Sequence, residues 1–153
     1  MTVLYAKRGD VFFTHSNTLL GRVIRWGEQD KTDKGAASWA NHTGVVVEAG
    51  WIGTTLPQAT VVEALWKTRR GPLVLNGTDV RIFRPVPAWT EQELQVFVTT
   101  ANGYVGATYG WWKLLVQLAD KQLFGGRKVL TTGLYRDDRP ICSYLAGKVV
   151  HAA

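Results

Sequence analysis

The chain has 153 residues, 46% of them hydrophobic and 20% charged, with a formal net charge of +6 and one cysteine. This is ordinary composition for one globular domain spanning residues 1–153, and a lone cysteine excludes both an intramolecular disulfide framework and a multi-cysteine zinc site. No apolar run approaches the roughly 18 residues that a membrane span needs.

The opening "MTVLYAKRGDVFF" has no long apolar stretch followed by a small-residue cleavage site. No signal peptide is therefore expected. The chain is expected to be made in the cytoplasm, with any action at a cell wall reached after lysis or by dedicated export. Basic residues are spread along the sequence, and the one compact cluster is "WKTRRG", Lys67 to Arg70. A scattered basic surface is the simpler account, and attraction to a polyanion is the alternative. The usual nucleic-acid motifs are missing from the sequence, so no nucleic-acid partner is expected.

In chain order, "DVFFTH" (Asp10 to His15) predicts a short strand. "SNTLLGRVIRWGE" predicts a helix that Ser16 can cap, with Leu19, Leu20, Val23 and Ile24 on one stripe. Gly27 to Ser38 is polar and loop-like. "HTGVVVEA" (His42 to Ala49) and "ATVVEALW" (Ala59 to Trp66) predict two strands, and the turn-rich "GWIGTTLPQ" between them suggests an antiparallel pair. "DVRIFRPV" (Asp79 to Val86) alternates and predicts another strand. The pattern then becomes helical. Thr90 and Glu93 form a capping box ahead of Leu94, Phe97, Val98, Ala101 and Tyr104. "GWWKLLVQLADKQLFGG" predicts a second helix, Leu123 to Pro140 a long loop, and "ICSYLAGKVV" the last helix. Strands first and helices later imply an α+β fold with helices packed on an antiparallel sheet.

Cys142 falls in the first turn of that last helix, where unpaired N–H groups and the helix dipole favour a thiolate. Pro140 suits a first turn. Cys142 shares a face with Leu145, Ala146 and Val149. A small buried structural residue fits that position too, and on this alone it is the preferred account. A nucleophilic thiol needs a base. His15 reads as a polar strand-end residue, and His151 lies near a fraying terminus. His42 opens a strand, with Gly44 on the same sheet face leaving space beside the ring. The imidazole in turn needs an acceptor. Glu63 is an acid in an otherwise apolar strand, and antiparallel pairing would set it beside His42. Glu48 lies six positions along the His42 strand, roughly 20 Å away. Zinc hydrolysis is disfavoured because His/acid pairs at ligand spacing are missing from the sequence.

Five segments, in order, resemble the permuted papain-like hydrolases, the YiiX-like, circularly permuted branch of the NlpC-type cell-wall peptidase superfamily. Lecithin:retinol acyltransferase-like proteins are relatives of that branch. The segments are "RGDVFF", "NHTGVVVE", "TVVEAL", "NGYVGATYGWW" and "ICSYLAGKVV". In this branch the His strand precedes the Cys helix. The resemblance implies Cys142 as nucleophile, His42 as base and Glu63 as the group orienting His42. It implies that Tyr109 lines the site and, with the Cys142 N–H, binds the oxyanion. It also implies a structural role for Asp10, and neither a metal nor any other cofactor. With the ordered set in view, a nucleophilic Cys142 is preferred to a structural one. The implied activity is cleavage of a peptide or amide, foremost a peptidoglycan stem peptide, through a thioester acyl-enzyme. The alternatives are an acyltransferase or thioesterase on lipid or acyl substrates, which the Trp-rich "YGWWKLLVQL" allows, and a non-catalytic basic binding module. The segment from Gly110 to Pro140 is longer and richer in Trp than the resemblance predicts.

Overall fold

The computed structural model describes residues 3–17, 21–22, 39–53, 56–75, 78–110, 115–116, 119–120 and 141–153. Seven strands are described: β1 (Leu4–Ala6), β2 (Val11–His15), β3 (His42–Glu48), β4 (Gly50–Ile52), β5 (Thr60–Ala64), β6 (Thr68–Pro72) and β7 (Asp79–Phe83). Two helices follow, α1 (Glu91–Gly103) and α2 (Cys142–Ala152). Five strands form one antiparallel sheet in the order β6-β5-β3-β2-β7, and β1 pairs with β4 in a separate ribbon. This is the α+β arrangement that the sequence predicts, with helices on an antiparallel sheet. Among the described residues no helix is long and apolar enough to cross a membrane.

Strand periodicity divides the apolar residues of the sheet between two cores. Val45, Val47, Val62 and Ala64 face the helices and pack with Phe97, Ala101, Leu145, Ala146 and Val149. Phe12, Val46 and Val61 face the other way, against Ala6, Ile52, Ala59 and Leu73. The β1–β4 ribbon supplies Ala6 and Ile52 to this second core. Leu145 and Val149 are fully buried, and each such side chain stabilises the α2 contact by about 1.5–3 kcal/mol.

Helix α1 begins as predicted. Thr90 accepts from the Glu93 N–H, and the Glu93 side chain accepts from the Thr90 N–H. Ahead of it, the Trp89 indole N–H donates to the Gly9 carbonyl at 3.0 Å. A Cβ on Gly9, whose φ is +90°, would lie 2.5 Å from Trp89 Cδ1. Asp10 has the structural role expected of it. Its buried carboxylate accepts the Lys7 backbone N–H at 2.7 Å and two N–H groups of Arg84 at 2.9 and 2.8 Å.

Some boundaries differ from the sequence reading. The strand expected to reach Trp66 ends at Ala64, and the one expected to reach Val86 ends at Phe83. The stretch read as a hairpin loop contains β4, because Gly50–Ile52 finds a partner in β1. Strand β6 forms inside the basic cluster, where Gly71 and Pro72 argue against a strand. Its ladder to β5 overrides that weak local preference. Helix α2 starts at Cys142 with Ile141 as its N-cap, so Pro140 precedes the helix. Of the expected helix after Ser16, residues 18–20 and those from Val23 onward lie outside the described residues. The loops Gly27 to Ser38 and Leu123 to Pro140 lie wholly outside them. So does most of the second predicted helix.

Candidate active site

The site forms where β3 begins, β5 ends and α2 starts. Register places Glu63 directly opposite Gly44, and His42 precedes Gly44 by two residues, on the same face. The carboxylate therefore reaches the ring diagonally across the ladder, and His42 Nε2 and Glu63 Oε2 are 2.8 Å apart. Glu63 is buried, with its side chain 4% exposed. On its other side, Glu63 Oε1 accepts Arg69 Nε at 2.8 Å and Arg69 Nη2 at 2.5 Å. Arg69 is the direct cross-strand partner of Glu63 on β6.

Cys142 reaches the same place from α2. Leu145, Ala146 and Val149 anchor the inner face of the helix, which turns its first residue toward the start of β3. The thiol is within electrostatic reach of the His42 ring and of the Thr43 backbone N–H, both of which favour its ionised form. Each ring nitrogen offers one in-plane hydrogen-bond direction. Glu63 takes that of Nε2, which leaves Nδ1 for the thiol. Tyr109 completes the group, its hydroxyl donating to Cys142 Sγ at 4.0 Å. The segment after α1 is tied to the edge of the sheet. Gly106 N–H donates to the Thr68 carbonyl, Thr68 N–H to that of Ala107, and Tyr109 N–H to that of Trp66.

Electrostatics follow from this packing. Burial alone would lower the pKa of His42, but hydrogen bonds and charge from Cys142 and Glu63 outweigh it and push the imidazole up to about 9. Burial would raise that of Cys142, but the His42 hydrogen bond and charge, the Thr43 N–H and the Tyr109 hydroxyl hold it below the ordinary thiol value. Burial would likewise raise that of Glu63, and His42 and Arg69 together hold it below the ordinary carboxylate range. A thiolate beside an imidazolium is the arrangement these shifts favour.

The four site residues predicted from the sequence, Cys142, His42, Glu63 and Tyr109, thus come together in space. Glu48 is at the far end of β3, bound to Thr60 and Arg70. His15 Nδ1 lies 2.5 Å from the Trp39 carbonyl, and His151 is exposed in the last turn of α2. One local expectation is corrected. Gly44 does not leave open space beside the ring, because the Phe12 ring crosses over it and meets His42 edge-on at 6.1 Å between centroids. The sequence reading also missed Arg69 and the Thr43 N–H. Arg69 carries a charge complementary to Glu63, but β6, the strand that presents it, has little local strand signal in the sequence. A backbone donor leaves no signal in the sequence. The basic cluster changes meaning as well, since Arg69 is bound to Glu63 and Arg70 to Glu48.

No group of three or more His, Cys, Asp or Glu side chains suited to a metal exists among the described residues.

No protein-family model matches the chain, and no curated protein sequence matches it. Among solved structures, the chain is similar to the metalloprotein YiiX from Escherichia coli O157:H7, with a TM-score of 0.58 and 20% identity. The match covers 95% of this chain and 66% of that one. The likeness is one of fold, and the fold of this chain is YiiX-like.

Proposed function

We propose that residues 1–153 form one circularly permuted papain-like catalytic domain, a cysteine hydrolase of amide bonds with Cys142, His42 and Glu63 as its triad. One observation carries this reading. The His42 ring meets a buried carboxylate at 2.8 Å and interacts with the thiol of a helix-initial cysteine, whose sulfur also takes the Tyr109 hydroxyl. A structural cysteine needs neither partner.

In the proposed reaction the Cys142 thiolate attacks the carbonyl carbon of the amide. The oxyanion is stabilised by the Cys142 N–H, a first-turn group without an intrahelical acceptor, and by the Tyr109 hydroxyl. The C–N bond then breaks, and the imidazolium transfers its Nδ1 proton to the departing amine. The resulting thioester is hydrolysed by water, which His42 deprotonates. Glu63 keeps the Nε2 proton in place throughout, so that Nδ1 faces the thiol in each step.

The resemblance of the ordered motifs supports a peptidoglycan stem peptide as substrate. The Trp-rich stretch that would favour acyl or lipid substrates begins at Tyr109, and its residues 111–114, 117 and 118 lie outside the described residues. A basic binding module draws little support from Arg69 and Arg70, which are paired with carboxylates. Incubation with purified peptidoglycan, followed by muropeptide analysis, tests the proposal. New stem-peptide fragments that disappear in Cys142→Ala are expected. Intact muropeptides, together with a thiol that no acyl probe labels, would refute catalysis.

A further inference from the structure

We infer that Arg69 is a fourth functional member of this site, a positioning residue that fixes which oxygen of Glu63 serves His42 and sets the acid limit of the thiolate. The inference rests on the triad proposed above.

Arg69 donates through Nε and Nη2 to one oxygen, Glu63 Oε1, at 2.8 and 2.5 Å. Oε2 is thereby left for His42 Nε2. A carboxylate can turn about its last bond, and two donors from one planar guanidinium stop that rotation. The Arg69 side chain is 46% exposed, whereas that of Glu63 is 4% exposed. The cation thus stays partly hydrated while its partner is withdrawn from water. An exposed surface pair would join two hydrated groups and do little. Here one end of the pair is a buried group already engaged with the histidine.

Charges are ordered in a line. Arg69 on β6 and His42 on β3 face Glu63. Cys142 on α2 faces the other side of the ring, and Tyr109, from the segment after α1, faces the sulfur. These are the titratable and charged groups that meet at the site among the described residues. The adjacent Arg70 lies on the opposite face of β6 and is bound to Glu48, at the other end of β3. Removing the Arg69 charge makes the cluster more negative by one unit. Every proton-binding group in it then holds its proton to a higher pH. The thiolate should therefore be lost at a higher pH, and the freed carboxylate should hold the ring less well.

The test uses the rate of iodoacetamide alkylation against pH on the full chain, with folding checked by circular dichroism. Cys142 is the only cysteine in the sequence, so the signal has one source. Arg69→Gln should move the acid limb up by on the order of 1 pH unit. Arg69→Lys keeps the charge without the paired donors and should bring the limb most of the way back. Arg70→Gln, an equal change of charge one residue away, should leave it in place. Superimposable profiles for wild type, Arg69→Gln and Arg69→Lys would overturn the role of Arg69 while leaving the triad intact. A wild-type thiol that reacts only above about pH 8 would instead overturn the thiolate on which both proposals stand.

Discussion

His42 Nε2 and Glu63 Oε2 lie 2.8 Å apart although 21 positions separate the two residues in the chain. Antiparallel register brings them together, since Glu63 faces Gly44 and His42 is the next residue on that face. The carboxylate is anchored from behind by Arg69, so its two oxygens are not equivalent. That inequality makes the first substitution informative.

Glu63→Gln should keep the fold and lose most activity. Arg69 offers only donors, so the amide oxygen must take the Oε1 position. The amide NH2 then faces His42 and donates to Nε2. The ring is forced to carry its proton on Nδ1, toward the sulfur, and can no longer accept one from the thiol. A fall in kcat/KM of about 10²–10⁴ is expected, as for other wrong-tautomer triads. An unchanged thermal midpoint with this loss would match the expectation, and near-wild-type turnover would contradict it.

Tyr109→Phe removes the hydroxyl near Cys142 Sγ and keeps the ring in its buried cluster. In its proposed role as an oxyanion donor, its loss should lower kcat by about 10²–10³ and leave KM little changed. Steady-state kinetics on an amide substrate separate the two parameters. An effect confined to KM would assign Tyr109 to ground-state binding instead.

The pH dependence of stability has a definite sign. The pKa of His42 is raised from its ordinary 6.5 to about 9 in the fold, so its contribution is complete below 6.5 and lost as pH rises toward 9. That of Cys142 is lowered from its ordinary 9.0, so its contribution is complete above 9.0 and lost as pH falls through the folded value. Between 6.5 and 9, wherever the folded thiol is ionised, the two slopes cancel, because folded and unfolded chains then each hold one of these protons. Below 6.5 only the thiol slope remains. Chemical denaturation should show wild type gaining a constant increment over the His42→Gln/Cys142→Ala double variant from about pH 7 to 8.5, shrinking below about pH 6. An increment that grows on acidification would exclude the ion pair.

Gly44→Ala should destabilise the chain and disturb the site together. The new Cβ would lie 2.6 Å from Phe12 Cζ and 2.7 Å from the Val62 carbonyl oxygen, a fixed backbone atom. Overpacking of this kind costs about 1–3 kcal/mol, and more where backbone must move. The Phe12 ring also packs edge-on against His42, so its displacement should slow alkylation of Cys142 at about pH 6. A stable, fully reactive variant would show that Phe12 does not support the histidine.

Much of this site was legible in the sequence because its signals are local. The Thr90 and Glu93 capping box marks the start of α1, and the apolar runs around His42 and Glu63 mark β3 and β5. Order along the chain places a histidine strand before a cysteine helix, and Leu145, Ala146 and Val149 say which way that helix faces. Cys142, His42 and Glu63 could therefore be named before any contact was known, and Tyr109 through the resemblance of its segment. What is local fails for β6, whose "TRRGP" has poor strand preference and pairs only because β5 offers a ladder.

Tertiary structure alone decided how those residues act. Register turned Glu63 toward His42 and Arg69 toward Glu63, because a shift of one residue would have sent either side chain to the opposite face. Packing closed the space at Gly44 with Phe12, a residue 32 positions earlier that β2 carries alongside. Burial made the charges interdependent, raising the pKa of His42 and lowering those of Cys142 and Glu63 only because each has lost water and gained the others. Residue types and their order are written in the chain, but distances, faces and dielectric arise only when the strands pair.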